Sequence, residues 1–69
     1  MLHCGDRVAI QGNTAFYTLS DPTCTYTGWV TGYDDGNVVV RLDEPVRYRD
    51  TQIWTQEVSV QHTSCRKLT

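Results

Sequence analysis

The segment that decides the fold runs from Gly28 to Leu42 and reads GWVTGYDDGNVVVRL. Its last five residues, VVVRL, alternate with a period of two, so that apolar side chains share one face as in a half-buried strand. Residues 34–37 read DDGN, and Asp-Gly and Gly-Asn pairs tolerate the positive φ that a tight turn requires. The segment therefore predicts a β-hairpin with strands at 28–33 and 38–42.

Three further strands are predicted outside the hairpin, at residues 6–10, 56–60 and 66–68. The first two alternate like the hairpin strands, with Val8 and Ile10 on one face of the first. Residues 62–65 are too few for a stable helix and predict a single 3₁₀ turn before the last strand. The expected core combines the inward positions of all five strands: Val8, Ile10, Val30, Val38, Val40, Leu42, Val58, Val60, Cys65 and Leu68.

Two loops are predicted between these strands. Residues 14–27 have no clear period but carry Phe16 and Tyr17, so we expect a long loop that is ordered by packing on the body. Pro45 cannot donate to a strand ladder and is expected to end the third strand. Residues 46–55 are then a second, polar loop.

Composition and charge restrict the class of protein. At 69 residues the chain has room for one small domain, and Thr, Val and Ile number 20 against 10 for Ala, Glu, Lys, Met and Leu. This excess favours strands. The formal charge of −2 disfavours a non-specific nucleic-acid binder, which is normally basic. No apolar run approaches the roughly 20 residues of a membrane span, and we expect a cytoplasmic protein.

The strand pattern resembles the SH3-like barrel superfamily. The resemblance rests on generic barrel positions along nearly the whole chain, which read GDRV from Gly5, GWV from Gly28, VVVRLD from Val38, VSV from Val58 and CRKL from Cys65. It implies that residues 1–69 form a single all-β domain, a five-stranded antiparallel SH3-like barrel whose first and last strands pair. The layout is similar to accessory subunits of photosynthetic electron-transfer complexes and to phage accessory barrels, a resemblance that implies an accessory subunit. No cofactor is predicted.

Catalytic and metal-binding patterns are weak. His3 and His62 lack an adjacent nucleophile or carboxylate in a mechanical motif, so no enzyme is predicted. If the first and last strands pair, His3, Cys4, His62 and Cys65 could approach one another as a tetrahedral zinc set. Neighbouring strand side chains point apart, however, so we favour Cys65 as core filler and His62 as a turn residue.

The cysteines number three, Cys4, Cys24 and Cys65. Secreted disulfide frameworks normally use an even set, so we expect reduced thiols. A disulfide from Cys4 to either of the other two is the alternative, and it would leave one thiol over.

The aromatic residues provide the main functional hypothesis. If Val30 faces the core, Trp29 faces outward beside Val39 on the paired strand, and the 46–55 loop adds a second aromatic group. Trp, Tyr and Arg are enriched at the centres of interfaces. The predicted contact surface, for a protein partner or a second copy of the chain, comprises Trp29, Val39, Arg47, Tyr48, Arg49 and Trp54.

Three other interpretations of the aromatic residues stay open. Trp54 could fold back and close one end of the barrel, since a small domain needs its large side chains. The same rings could form a cage for a methylated lysine. With Arg47, Arg49, Arg66 and Lys67 they could bind single-stranded nucleic acid or belong to a ribosome-associated barrel, although Asp34, Asp35 and Asp43 would oppose this.

Overall fold

The protein is all-β, as the sequence predicts. The structure, a computed structural model, describes residues 2–12, 24–48 and 51–68. Within these ranges five strands and one 3₁₀ turn follow the predicted order. They are β1 (Arg7–Gln11), β2 (Thr25–Asp34), β3 (Asn37–Arg47), β4 (Trp54–Val60), the 3₁₀ turn His62–Ser64 and β5 (Arg66–Lys67).

All five strands pair antiparallel in one sheet with the order β4-β3-β2-β1-β5. The predicted pairing of the first and last strands is present, with Val8 opposite Lys67 and Ala9 opposite Arg66. Strands β4 and β5 are the two edges, and over the described residues no ladder joins them. The five-stranded antiparallel architecture is therefore confirmed, whereas closure into a barrel is not.

One core joins the strands. Eight of the ten predicted positions form it: Val8, Ile10, Val30, Val38, Val40, Leu42, Val58 and Val60. Residues of β1 and of the edge strand β4 belong to the same buried cluster. Cys65 packs against this core while partly exposed. Leu68 is 38% exposed, so its predicted core position is wrong; it follows the end of β5 at Lys67 and lies outside the buried cluster.

The β2–β3 hairpin is confirmed, and its turn has the predicted conformation. Asp35 has φ +50° and Gly36 has φ +79°, and Asp34 pairs with Asn37 across them. Positive φ at both central positions is the pattern of a type I′ turn, whose twist matches that of the flanking strands. Further along, the ladder changes register: Val39 lies opposite Gly32, but Val40 lies opposite Val30, so Thr31 is an extra residue in β2.

Pro45 does not end β3, contrary to the prediction. The strand continues to Arg47, and the pairing of β3 with β4 is interrupted between Arg41 and Val46. Pro45 lies inside this interruption, where no ladder hydrogen bond is required of it. Pairing resumes at Val46 opposite Thr55, so the predicted loop at 46–55 is too long. Most of the predicted 14–27 loop lies outside the described residues, and its last part belongs to β2.

Candidate functional site

A row of four paired residues crosses the outer face of the sheet. Arg7 of β1 lies opposite Trp29 of β2, Trp29 opposite Arg41 of β3, and Arg41 opposite Glu57 of β4. Each of the four has at least one buried neighbour in its strand, so period-two alternation turns all four outward. Trp29 is 49% exposed in the middle of this row. We call these four residues the Trp29 face.

The indole of Trp29 is held by a cluster of polar groups. The Arg7 guanidinium carbon lies 4.8 Å from the centroid of the Trp29 ring, which is cation–π distance. The guanidinium also donates from both terminal nitrogens to Asp43, with Nη2 lying 2.5 Å from Oδ2. Thr27 donates from Oγ1 to the same Oδ2 at 2.5 Å. Asp43 of β3 thus holds the Arg7 cation of β1 over the Trp29 ring of β2.

The charges of this cluster stabilise each other. Hydrogen bonds from Arg7 and Thr27 lower the pKa of Asp43 from its ordinary 3.8 to about 2. The hydrogen bond to Asp43 in turn raises the pKa of Arg7. Arg7 and Asp43 therefore remain an ion pair at every physiological pH. Because a bidentate pair fixes both orientation and distance, the guanidinium over Trp29 is restrained more than a free arginine would be.

Val39 lies on the outer face but is not the direct neighbour of Trp29. Trp29 lies opposite Arg41, and half-buried Val39 lies one pleat further on, opposite Gly32 and Ser59. The expected strip of Trp29 and Val39 is therefore divided by a charged residue. The reason is the hairpin register: the Asp34–Asn37 pair at the turn places Val39 opposite Gly32 rather than Trp29.

The second part of the predicted surface lies at the far end of β3. Trp54 is 64% exposed and lies opposite Arg47, while Tyr48 packs partly buried against the core. Arg41 and Arg47 are six residues apart along β3, or about 20 Å of strand, so Trp54 and Trp29 occupy separate regions of the sheet. Arg49 lies outside the described residues.

Sequence analysis missed the cluster that holds Trp29. Arg7 and Asp43 are 36 residues apart, and only the register of β1, β2 and β3 brings them together. The available signal was the outward position of Arg7 in the first predicted strand. To identify Asp43 as the partner of Arg7, the pairing of three strands must be known, and the local sequence pattern does not predict it.

The four residues of the zinc hypothesis are only partly brought together. His3, His62 and Cys65 line one cleft, whereas Cys4 is exposed outside its lining. Over the described residues no group of three His, Cys, Asp or Glu side chains is placed to hold a metal ion. His3 and Cys4 instead belong to a tight turn in which the His3 amide donates to Asp6 Oδ2 at 2.8 Å, and Gly5 has φ +91°.

All three cysteines lie among the described residues, and none forms a disulfide. The reduced state of the thiols stays a prediction. Burial raises the pKa of the Cys65 thiol, which keeps it uncharged at neutral pH.

Comparison with known proteins identifies no relatives. No protein-family model matches the chain, and no curated protein or solved structure matches it. Among the described residues, no helix has the length and apolar character to cross a bilayer. The Trp29 face and the cleft beside His3 are therefore the features on which a function can be argued.

Proposed function

We propose that this protein is a non-enzymatic binding module that docks onto another protein through the Trp29 face. The observation that carries the proposal is the state of Trp29: the indole is 49% exposed, and Arg7, itself clamped by Asp43, lies 4.8 Å from its centroid. The core is complete without this ring, because the buried cluster consists of other side chains.

Restraint of the ring makes the proposed contact favourable. An interface loses roughly 0.5–1.5 kcal/mol for each flexible side chain that it must order. Trp29 and Arg7 already restrain each other in the free protein, so less ordering remains to be done. Covering apolar surface contributes about 25 cal/mol per Å², and one indole can therefore anchor a contact worth a few kcal/mol before other costs.

Charge favours a protein over a nucleic acid as the partner. Asp43 neutralises Arg7, and Glu57 lies opposite Arg41, so the Trp29 face carries a mixed charge rather than a basic one. Phosphate recognition requires uncompensated Lys and Arg. A small nucleic-acid-binding or ribosome-associated barrel is the alternative. In that case the phosphates would be bound by cations outside the Trp29 face, namely Arg47, Arg49, Arg66 and Lys67. A methyl-lysine cage is disfavoured because the protein's own guanidinium already lies over the Trp29 ring.

We also propose that the fold is SH3-like. The strand order β4-β3-β2-β1-β5, the pairing of β1 with β5 and the 3₁₀ turn before β5 support it. An SH3-like accessory subunit of the cytoplasm that acts within a larger or symmetric assembly is the class of protein that we propose.

The test replaces Trp29 by Ala and follows association. Sedimentation of the wild-type protein at two concentrations detects self-association, and affinity capture from the source cell with mass spectrometry detects a different partner. We expect one association of the wild type to weaken by more than about 1 kcal/mol in Trp29→Ala while the monomer stays folded. Trp54→Ala, which removes an even more exposed indole at the far end of β3, shows whether the surface extends that far.

Three results would contradict the proposal. If Trp29→Ala unfolds the monomer, the ring is structural. If the variant retains every association of the wild type, the Trp29 face is not the docking surface. If the captured partner is a nucleic acid whose affinity falls steeply with salt, the alternative function holds.

A further inference from the structure

A cleft of about 580 Å³ opens between the N-terminal segment, the end of the β2–β3 hairpin and the 3₁₀ turn. Leu2 and Tyr33 form one side of it, and the Tyr33 hydroxyl donates to the Leu2 carbonyl, which fixes the two together. Leu2 and Cys65 also pack against the core, so the floor is apolar. The volume lies within the roughly 300–1,000 Å³ of small-molecule sites.

The polar groups of the cleft are hydrogen-bond donors and one cation. His3, His62 and Lys67 line it, and Cys65 contributes an uncharged thiol. Of the described residues that line the cleft, none is an Asp or a Glu. A neutral imidazole can donate one hydrogen bond, and an ammonium group can donate three. The lining is therefore complementary to a ligand that has a negative group and an apolar body.

Asp6 is the carboxylate nearest to Lys67, and its position decides how much of the lysine charge remains. Asp6 Oδ2 accepts the backbone N–H of His3 at 2.8 Å and lies 3.7 Å from Lys67 Nζ. The hydrogen bond from His3, together with the Lys67 charge, lowers the pKa of Asp6. Oδ2 of Asp6 engages at most one of the three ammonium protons of Lys67, so two remain available to a ligand.

We propose that this cleft binds a small organic carboxylate, with the apolar body against Leu2 and Tyr33 and the carboxylate near Lys67 and the two histidines. The site is separate from the Trp29 face, which lies on the outer side of the sheet. It needs no metal and no partner protein. Its existence is thus independent of the docking function proposed above.

The test is an NMR titration of the full chain with benzoate. Benzamide, which has the same ring and a neutral head, and benzylamine, which has a positive head, are the matched ligands. We expect benzoate to shift the ring signals of His3 and His62 and to bind at least about tenfold more tightly than benzamide, since a charged hydrogen bond is lost. Benzylamine is expected to bind most weakly of the three.

A matched pair of variants separates the site from general charge attraction. Lys67→Gln and Arg66→Gln each remove one positive charge from adjacent residues of β5, but only Lys67 lines the cleft. We expect Lys67→Gln to weaken benzoate at least about fivefold and Arg66→Gln to leave its affinity within about twofold. Equal binding of benzamide, equal loss in both variants, or signal shifts centred away from His3 and His62 would each overturn the proposal.

Discussion

The guanidinium of Arg7 lies over the ring of Trp29 and donates from both terminal nitrogens to Asp43, so that residues from three adjacent strands form one cluster. The exposed aromatic ring of this small domain is therefore a fixed part of its surface. Several properties of the cluster and of the sheet beneath it can be measured directly.

The first prediction concerns the acid limit of the cluster. The folded-state pKa of Asp43, about 2, lies below its ordinary 3.8. The contribution of the ion pair is therefore complete above about pH 4 and is lost as the pH falls through about 2. An NMR pH titration that follows the Trp29 indole N–H should show a transition near pH 2, with the Trp54 indole as the internal control. A midpoint near 3.8 at Trp29 would mean that the clamp is absent.

The second prediction tests which face of β3 is buried. Val40 is 0% exposed in the core, whereas its neighbour Val39 lies half-buried on the outer face. Val40→Ala should lower the free energy of unfolding by about 2 kcal/mol, because it removes buried methyl groups and leaves a cavity. Val39→Ala should cost less than about 1 kcal/mol. Urea denaturation of both variants gives the comparison, and a reversed ranking would place the wrong face of β3 in the core.

The third prediction concerns the close approach of β2 and β3 next to Trp29. A Cβ at Gly28 would lie 2.4 Å from the carbonyl oxygen of Arg41, a backbone atom that cannot move aside alone. Gly28→Ala should therefore destabilise the protein by more than about 2 kcal/mol. Gly32, in the same strand, has open space around the corresponding position. Thermal unfolding should show little change in Gly32→Ala, and similar losses in the two variants would contradict the packing described.

The fourth prediction concerns the hairpin turn. Gly36 has φ +79°, where an L side chain costs roughly 1–2 kcal/mol, so Gly36→Ala should destabilise by about that amount. Asp35 already bears this cost at φ +50°, and Asp35→Gly should leave stability unchanged or raise it. Chemical denaturation can detect these opposite effects. Destabilisation by Asp35→Gly as large as that by Gly36→Ala would exclude the type I′ conformation.

Much of the fold follows from local pattern, because within each uninterrupted stretch of strand alternation decides which side chains face inward. The eight confirmed core positions and the DDGN turn are of this kind. The strand ends are different. Pro45 lacks the backbone N–H that a strand ladder needs, which predicts the end of β3. The pairing of β3 with β4 is interrupted at this point, however, so no N–H is needed there and the strand continues.

The candidate site is less predictable than the core for a related reason. That Trp29 faces outward follows from the burial of Val30, its neighbour in the strand. The positions of Arg7 over the ring and of Asp43 beside Arg7 depend on the register of three strands. That register pairs residues that are distant in sequence. The cleft likewise combines the first residues of the chain with the last turn. No short window of sequence contains either arrangement.

The extra residue Thr31 divides β2 into two halves. In one half the odd-numbered side chains face outward, and in the other half the even-numbered side chains do. Before it, the odd-numbered Trp29 points outward; after it, the even-numbered Gly32 does, and the odd-numbered Tyr33 turns to the inner side, where it lines the cleft. Without this residue the ladder would be regular, with Gly32 opposite Val39 followed directly by Val30 opposite Val40, and both halves would keep their present faces. The extra residue therefore allows Val30 and Tyr33, which are three positions apart in β2, both to face the inner side, while Trp29 stays on the outer side.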